Sequence, residues 1–345
     1  MLSTWKSALR HAGLAVFALS TFFGTPSSAQ ETGDKWISAA NNPDCKYLEG
    51  SDKNIFEGEL TWSGACLNGY AQGPGRFSSR QGYIEGNFVN GRLQGDGVLH
   101  AEILKENETF TMDYKGEFKD SIAHGQGVTE VDHTYDGIRN HFIYKGAFQD
   151  AKMHGRGVIE YLDGNPVEGS RYEGDFRNEK PNGRGKFEGA NGRSFEGDFK
   201  DGLPHGRGVL IYEDGARYEG DMHQGNKHGH GILIDKDGTQ YEGEFNNDLA
   251  SGHGIAVFSN GDKYEGAFSK GQIHGQGVAT FIDGRKHEGA FANGTTNGHG
   301  VTTLANGTIC TGEWKDDVLI GAGEGLIEGR PVKCYADGYT IKFAD

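Results

Sequence analysis

Histidines recur at fixed places in this sequence, and they are the first residues whose spacing could do chemistry. His228 and His230 are two residues apart, which in a strand puts both imidazoles on one face about 7 Å apart. A ring from a neighbouring segment could then complete a metal site. The candidate ligands are His205, His228, His230 and His253. We favour a structural role, because asparagine or serine stands at the equivalent positions 182, 251 and 297, so no metal or cofactor is predicted.

Acidic residues form two columns that resemble the carboxylate pairs of glycosidases, which lie about 5 to 9.5 Å apart. The columns comprise Glu196, Glu219, Glu242, Glu265 and Glu288, with Asp198, Asp221 and Glu244 two places further on. Arg217, Lys263 and Lys286 interleave with these acids, and no cleft is predicted beside them. The favoured interpretation is a solvated sheet face with balanced charge.

Other catalytic signatures are missing from the sequence. It has no GxSxG nucleophile elbow, and no Lys-Ser or Lys-Thr follows the spaced glycines as a phosphate loop requires. Asp235 and Asp237-Gly238 match only the start of a calcium-binding loop. The sequence therefore predicts a protein that is not an enzyme.

The first 29 residues have the order of a secretory signal. Lys6 and Arg10 precede an apolar stretch from Ala12 to Phe23, and small residues follow up to Ala29. Twelve apolar residues are too few for a membrane-spanning helix, which needs about 20. We expect cleavage near Ala29 and a periplasmic or secreted protein.

Four cysteines lie near the two ends of the chain. An oxidising compartment favours disulfides, and four cysteines allow three pairings. Local pairing would join Cys45 to Cys66 and Cys310 to Cys334, closing loops worth about 3 kcal/mol each. No CxxC spacing supports a metal or redox site instead.

Charge and composition restrict the partners. The formal net charge is −15, which opposes nucleic acid and disfavours an anionic membrane surface. Glycine occupies 58 of 345 positions, yet aromatic residues make up 11% of the chain, which argues against disorder. The chain folds, and its fold requires many glycines.

A short phrase recurs and accounts for those glycines. It consists of an aromatic or apolar residue, any residue, glycine, any residue, and then Phe, Trp, Leu or Met. The copies begin at Phe56, Ile84, Tyr114, Tyr144, Tyr172, Phe195, Tyr218, Tyr241, Tyr264, His287 and, degenerately, Cys310. From Tyr172 onward the period is 23 residues, and each copy is named below by its first residue. The residues that define the phrase best are Tyr172, Gly174, Phe176, Phe195, Gly197, Phe199, Tyr218, Gly220, Tyr241, Gly243, Phe245, Tyr264, Gly266 and Phe268.

Each copy predicts a β-hairpin. Side chains two apart, as in Tyr218, Gly220 and Met222, share one face of a strand. Dipeptides such as Asp214-Gly215 and Asp237-Gly238 are typical of two-residue turns with positive φ at both positions. We expect a ring from the neighbouring copy to lie over each strand glycine, where no side chain blocks it. A lone hairpin buries too little to be stable, so the copies must stack.

These phrases resemble the MORN repeat ("membrane occupation and recognition nexus"), for example in YEGEFNNDLASGHGIAVFSNG and YEGAFSKGQIHGQGVATFIDG. The resemblance covers about residues 55 to 325. It implies an all-β, elongated antiparallel meander of about eleven hairpins in a single twisted, solenoid-like sheet. It also implies a scaffold or interaction surface, in some members proposed to bind phospholipid.

The predicted organisation is a signal peptide at 1–29, an N-terminal cap at 30–54, the repeat array at 55–325 and a C-terminal cap at 326–345. Extra residues in three copies predict a wider sheet, which makes 98–113 and 128–143 the preferred contact region. We expect a noncatalytic exported scaffold for a protein or envelope polymer. The alternatives are a peripheral phospholipid-binding module and histidine-mediated metal binding. Self-association through open sheet edges is also expected unless the caps prevent it.

Overall fold

A computed structural model describes residues 36–48, 58–337 and 340–344. The predicted signal peptide, its cleavage site and the first residue of the Phe56 copy lie outside these described residues. The chain divides into two compact units, unit 1 at residues 1–203 and unit 2 at residues 204–345. No helix long and apolar enough to cross a membrane occurs among the described residues.

All regular structure in the described part of unit 1 is β-strand. Its strands are β1 Trp36–Ala39, β2 Asn42–Leu48, β3 Thr61–Trp62, β4 Ala65–Leu67, β5 Tyr70–Ser79, β6 Gly82–Val89, β7 Arg92–Lys105, β8 Glu108–Lys119, β9 Ile122–Tyr135, β10 Ile138–Gln149, β11 Lys152–Tyr161, β12 Arg171–Arg177, β13 Lys180–Glu188 and β14 Ser194–Lys200. From β5 to β14, each strand pairs antiparallel with the next.

Unit 2 has the same pattern, and β15 is described with it although its first residue, Leu203, is the last residue of unit 1. Its strands are β15 Leu203–Ile211, β16 Arg217–His223, β17 Asn226–Ile234, β18 Gln240–Asn246, β19 Leu249–Val257, β20 Lys263–Ser269, β21 Gln272–Thr280, β22 Lys286–Ala292, β23 Thr295–Thr303, β24 Ile309–Lys315, β25 Val318–Ile327, β26 Arg330–Asp337 and β27 Thr340–Ala344. From β15 to β27, each strand again pairs antiparallel with the next. The predicted all-β antiparallel meander of hairpins is confirmed.

The tight turns lie at a different place from the one predicted. Gln224 and Gly225 have φ values of 49° and 78°, and they join β16 to β17 through a two-residue turn. Each regular copy has such a turn six and seven places after its first residue. The dipeptides named in that prediction, Asp214-Gly215 and Asp237-Gly238, instead belong to longer loops, in which glycine alone has positive φ, as Gly215 does at 89°. The prediction of positive φ at both positions was wrong, because Asp214 serves as a carboxylate acceptor for the amide of Ala216, 3.1 Å away.

The ring that covers each glycine pair also differs from the predicted one. Gly220 and Gly231 are directly opposite each other on β16 and β17. A Cβ added at Gly231 would lie 2.5 Å from the ring of Tyr218, which belongs to the same copy. The Tyr218 hydroxyl then donates to the carbonyl of Asp221 at 2.7 Å. The neighbouring copy supplies Phe245 instead, which meets Tyr218 edge-on with ring centroids 5.2 Å apart.

The expected insertions lengthen four strands of unit 1. Strands β7 to β10 contain 12 to 14 residues, whereas the regular strands of unit 2 contain 7 or 9. Asp136 and Gly137 form a two-residue turn with φ values of 47° and 79°. The sheet is therefore wider across 92–149, as the extra residues of the Ile84 and Tyr114 copies predicted. The extra residues of the Tyr144 copy instead form turns between β11 and β12, so the prediction was wrong for that copy.

The C-terminal segment packs on the end of unit 2. Cys310 and Cys334 are fully buried and joined by a disulfide, beside Trp314 and Leu319. Ile341 and Phe343 of β27 pack against this cluster. The segment predicted as a C-terminal cap thus adds two strands and covers apolar side chains of the last copy.

The other two cysteines do not form the expected disulfide in this structure. Cys45 and Cys66 are free thiols, although their side chains are close enough to hydrogen-bond. Burial and the neighbouring thiol raise the pKa of Cys45 to about 12, which keeps it protonated. The Cys66 thiol also donates to the carbonyl of Asp44, 3.8 Å away. The predicted local pairing is correct in placing Cys45 beside Cys66, but the structure has no disulfide between them.

Candidate functional site

One position in the repeat decides whether side chains fill the tyrosine side of the sheet or leave it open. The tyrosine side is the face that carries the first aromatic residue of each copy. The residue fifteen places after the start of each copy is paired across the strands with the first aromatic of its own copy and of the next one. It is large in three successive copies, as Phe187, Leu210 and Leu233, and small in the next three, as Ala256, Ala279 and Thr302. Small side chains here leave space between successive rings.

That space forms part of a groove in unit 2 with a volume of about 730 Å³. It extends over consecutive hairpins and is lined by both apolar and polar side chains. The apolar lining comprises Phe258, Tyr264, Ile273, Ala279, Phe281, Phe291, Trp314, Leu319 and Ile341. Sites that bind ligands typically combine such an apolar lining with a few polar groups. We call this feature the groove.

His287 replaces the tyrosine of its copy and lies at the groove. Its Nδ1 is 2.9 Å from the hydroxyl of Thr302, and its ring meets Phe291 and Trp314 edge-on at centroid distances of 5.4 and 5.1 Å. Only 3% of the residue is exposed, and its Nε2 has no hydrogen-bond partner among the described protein atoms. Burial lowers the pKa of His287 to about 4, against an opposing effect of Asp317. The imidazole is therefore neutral near pH 7.

The rim of the groove is acidic. Asp262 accepts the amide of Ile282 at 2.9 Å, and Asp317 accepts the amide of Thr296 at 2.8 Å. Backbone hydrogen bonding at Thr239 is the main cause that lowers the pKa of Asp237 below its usual value. By accepting these amides, the Asp262 and Asp317 carboxylates fix the loops that border the groove. The two cations of the lining already have partners outside it, with Lys263 paired to Glu265 and Arg285 paired to Asp283.

The buried imidazole makes stability depend on pH. Its folded pKa lies below the ordinary value of about 6.5, so its contribution is present above pH 6.5 and is lost as the pH falls toward 4. At pH 5 we expect the β22–β23 hairpin to be about 2 kcal/mol less stable than at pH 7. Hydrogen exchange of β22 and β23 amides at the two pH values measures this difference.

The matched control is His287→Tyr, which restores the tyrosine that begins six earlier copies. This variant should lose most of the pH dependence in β22 and β23. An equal change in the wild type and the variant would show that another group is responsible.

The histidines predicted as metal ligands are placed differently from expectation. Gly229 has φ of 56°, which interrupts the strand alternation that would put His228 and His230 on one face. The ring of His228 instead packs against His223, and His205 packs against the other side of His223. Among the residues that the structure describes, no group of three His, Cys, Asp or Glu side chains could hold a metal ion.

The acidic columns carry paired charges. Glu219 pairs with Arg217 at 2.5 Å, and Glu288 pairs with Lys286 at 3.2 Å. All four side chains are well exposed. This geometry agrees with a solvated face of balanced charge and brings no carboxylate pair into the groove.

The contact region preferred from the sequence, 98–113 and 128–143, lies in the wide strands of unit 1. Leu104, Tyr135 and Ile138 are exposed at its outer ends, with 70%, 56% and 56% of their surfaces accessible. Arg139 on β10 bridges Asp132 on β9 and Asp163 in the turn after β11, at 2.6 Å each. The region offers exposed apolar ends beside a tight ion network.

Sequence reasoning missed the groove. The signal was the change from large to small side chains at one repeat position, which becomes visible only when that position is known to lie between two rings. The repeated phrase shows that histidine replaces tyrosine at position 287. The phrase does not show that this histidine is buried, because its burial depends on packing against Trp314 from the next copy.

The fold defines a β-hairpin repeat protein. A family model described as the MORN repeat matches residues 85–101, 114–130, 144–165, 172–192, 195–217, 218–240, 241–263, 264–284 and 287–309. These segments cover more than half of the chain, which therefore belongs to the MORN-repeat family, as its phrases predicted. No curated protein matches the sequence.

Proposed function

We propose that this protein is a noncatalytic, exported interaction scaffold that binds an extended segment of a protein partner in the groove. The observation that carries the proposal is the opening of the tyrosine side where Ala279 and Thr302 replace larger residues. The groove follows successive hairpins, so a linear segment can contact several copies at once. A binding role needs no reacting group, and the buried imidazole of His287 is held neutral.

The chemistry of the groove favours particular side chains in the partner. Aromatic and aliphatic residues line it, including Phe258 and Phe281 from equivalent loops of adjacent copies. Equivalent strands of adjacent copies are two strand spacings, or about 9.6 Å, apart. Apolar side chains spaced along an extended segment would fill the spaces between rings. The carboxylates of Asp237, Asp262 and Asp317 at the rim favour Lys or Arg in the partner segment, on either side of those apolar side chains.

The proposal is tested first by locating the contact. A photo-crosslinking residue at position 281 should capture a partner from the native envelope, and one at Glu242 on the opposite, charged face should not. The captured protein is then purified, and its affinity is measured directly. Capture of a polysaccharide rather than a protein would reassign the groove to an envelope polymer.

Filling the groove should then weaken binding without unfolding the protein. Ala279→Leu introduces the side chain present in Leu210 and Leu233, so the repeat tolerates it. We expect the dissociation constant of the captured partner to rise at least about tenfold, or about 1.4 kcal/mol. Isothermal titration calorimetry with the purified partner measures this change.

Thr280→Leu is the control, because Thr280 is the adjacent exposed residue and projects to the other face. It should leave the affinity unchanged. Equal affinities for Ala279→Leu, Thr280→Leu and wild type would exclude the groove. Flotation with anionic vesicles that salt abolishes would favour the phospholipid-binding alternative instead, against which the net charge of −15 counts.

A further inference from the structure

Two buried polar atoms of the β22–β23 hairpin lie at the groove and make no hydrogen bond to any protein atom that the structure describes. They are Nε2 of His287 and the hydroxyl oxygen of Thr296. Only 3% and 7% of the two residues are exposed, and both residues line the groove. A buried polar atom without a partner costs free energy, which a ligand that bonds it would recover. We call these two atoms the polar pair.

The two atoms belong to one stretch of the tyrosine side. Thr296 pairs across the strands with Phe291, and Gly300 pairs with Gly289, which lies between Phe291 and His287 on β22. A Cβ added at Gly300 would lie 2.5 Å from Nε2 of His287. The imidazole ring therefore extends over the glycine pair in the direction of Thr296.

The polar pair is a property of one copy and not of the repeat. The tyrosine side takes its side chains from places zero, nine and fifteen of each copy, which here are His287, Thr296 and Thr302. The other copies from Tyr172 onward have an apolar residue or glycine at place fifteen, namely Phe187, Leu210, Leu233, Ala256, Ala279 and Gly325. Three side chains that can form hydrogen bonds thus coincide in the His287 copy, where the groove is open.

We infer that the polar pair is a subsite of the groove for the side chain of a tyrosine in the partner segment, an inference that rests on the proposed function. Tyrosine combines an apolar ring with a polar tip. The rings of Phe291 and Trp314 already meet His287 edge-on, at centroid distances of 5.4 and 5.1 Å, so an aromatic ring finds apolar contacts beside it. The hydroxyl of the bound tyrosine bonds the polar pair.

A hydroxyl suits the polar pair better than a charged group does. Nδ1 of His287 lies 2.9 Å from the Thr302 hydroxyl, and either atom can be the donor of this bond. Nε2 accepts in one case and donates in the other, and a hydroxyl can serve as the partner in both. Asp317, which accepts the amide of Thr296 at 2.8 Å, would repel a carboxylate. An ammonium group would lose its hydration against the apolar lining.

The test compares two probes of nearly the same shape, p-cresol and toluene. Each is titrated into the intact protein near pH 7, and nuclear magnetic resonance follows the indole of Trp314 and the ring of His287. An entirely apolar groove would prefer toluene, because burying a hydroxyl without a hydrogen bond is costly. We expect the opposite order, with p-cresol bound about tenfold more tightly than toluene.

Two variants assign this preference to the polar pair. His287→Phe retains a ring, and phenylalanine already begins another copy as Phe195. Thr296→Val removes the hydroxyl with little change of shape. Each variant should lose the preference for p-cresol while its affinity for toluene stays nearly unchanged, which also shows that the groove remains folded. Thr303→Val is the matched control, because Thr303 follows Thr302 on β23 and projects to the other face. It should keep the preference.

Three results would overturn the subsite. The first is binding of toluene as tight as that of p-cresol in the wild type. The second is a preference for p-cresol that persists in both His287→Phe and Thr296→Val. The third is the absence of saturable binding of either probe.

The subsite and the proposed function can fail separately. If a partner is captured at position 281 but p-cresol is not preferred, the subsite alone is wrong. If p-cresol is preferred and no partner is captured, the subsite stands and the scaffold function is wrong.

Discussion

Replacing Gly231 with alanine is expected to lower the free energy of unfolding around β16 and β17 by about 3 kcal/mol. Alanine suits the extended backbone here, so conformational strain is not the cause. The added Cβ would lie 2.5 Å from both the ring and the hydroxyl oxygen of Tyr218. It would displace the ring and break the 2.7 Å hydrogen bond from the hydroxyl to Asp221. Hydrogen exchange of the two strands measures the loss.

A double-mutant cycle with Tyr218→Ala controls for the backbone. Without the ring, Gly231→Ala should cost much less than in the wild type. If the cost is the same in both backgrounds, Tyr218 is not what excludes a side chain from Gly231. The cycle therefore separates ring packing from any intrinsic effect of alanine on the strand.

Removing the Cys310–Cys334 disulfide should weaken the C-terminal end by about 3 kcal/mol. The bond closes a loop with a sequence separation of 24 residues, and both sulfurs are buried against Trp314 and Leu319. Because stability in a repeat array is largely local, β24 to β26 should exchange faster while β16 to β18 stay protected. The double variant Cys310→Ser with Cys334→Ser, followed strand by strand, gives this profile.

Cys66→Ser is the comparison for that experiment. Cys66 has no disulfide partner in this structure, so its replacement should leave β24 to β26 unchanged. Uniform loss of protection across unit 2 in the disulfide variant would contradict local stability and would indicate a single cooperative unit.

The repeat period and strand alternation were sufficient to predict the class of fold. The placement of turns was not, because Asp-Gly is compatible both with a two-residue turn and with a longer loop in which only glycine has positive φ. The sequence alone does not reveal that Gln224-Gly225 forms the tighter turn, since glutamine is not a preferred residue for positive φ. There the hairpin register imposes the conformation.

The site was harder to predict than the fold for a similar reason. The sequence indicates that an aromatic ring lies over the strand glycines. To see that this ring comes from the same copy, one must know that Gly220 pairs directly with Gly231. The ring contacts of His223 with His205 and His228 depend on which strands are adjacent and on the interruption of strand alternation at Gly229. The groove depends on an alanine, a residue that attracts no attention until its neighbours are known to be tyrosines.

The two-residue turns of unit 2 share one more contact. The amide of Gly225 donates to the carbonyl of Pro204, that of Asp248 to Lys227, and that of Gly271 to Ala250, all at 2.9 to 3.0 Å. The turn of each copy therefore donates to a backbone carbonyl of the preceding copy. The equivalent carbonyl of its own copy accepts a hydrogen bond from the turn of the next copy. A gene duplication or deletion of 23 codons would preserve this connection, so groove length can evolve by whole copies without any new interface.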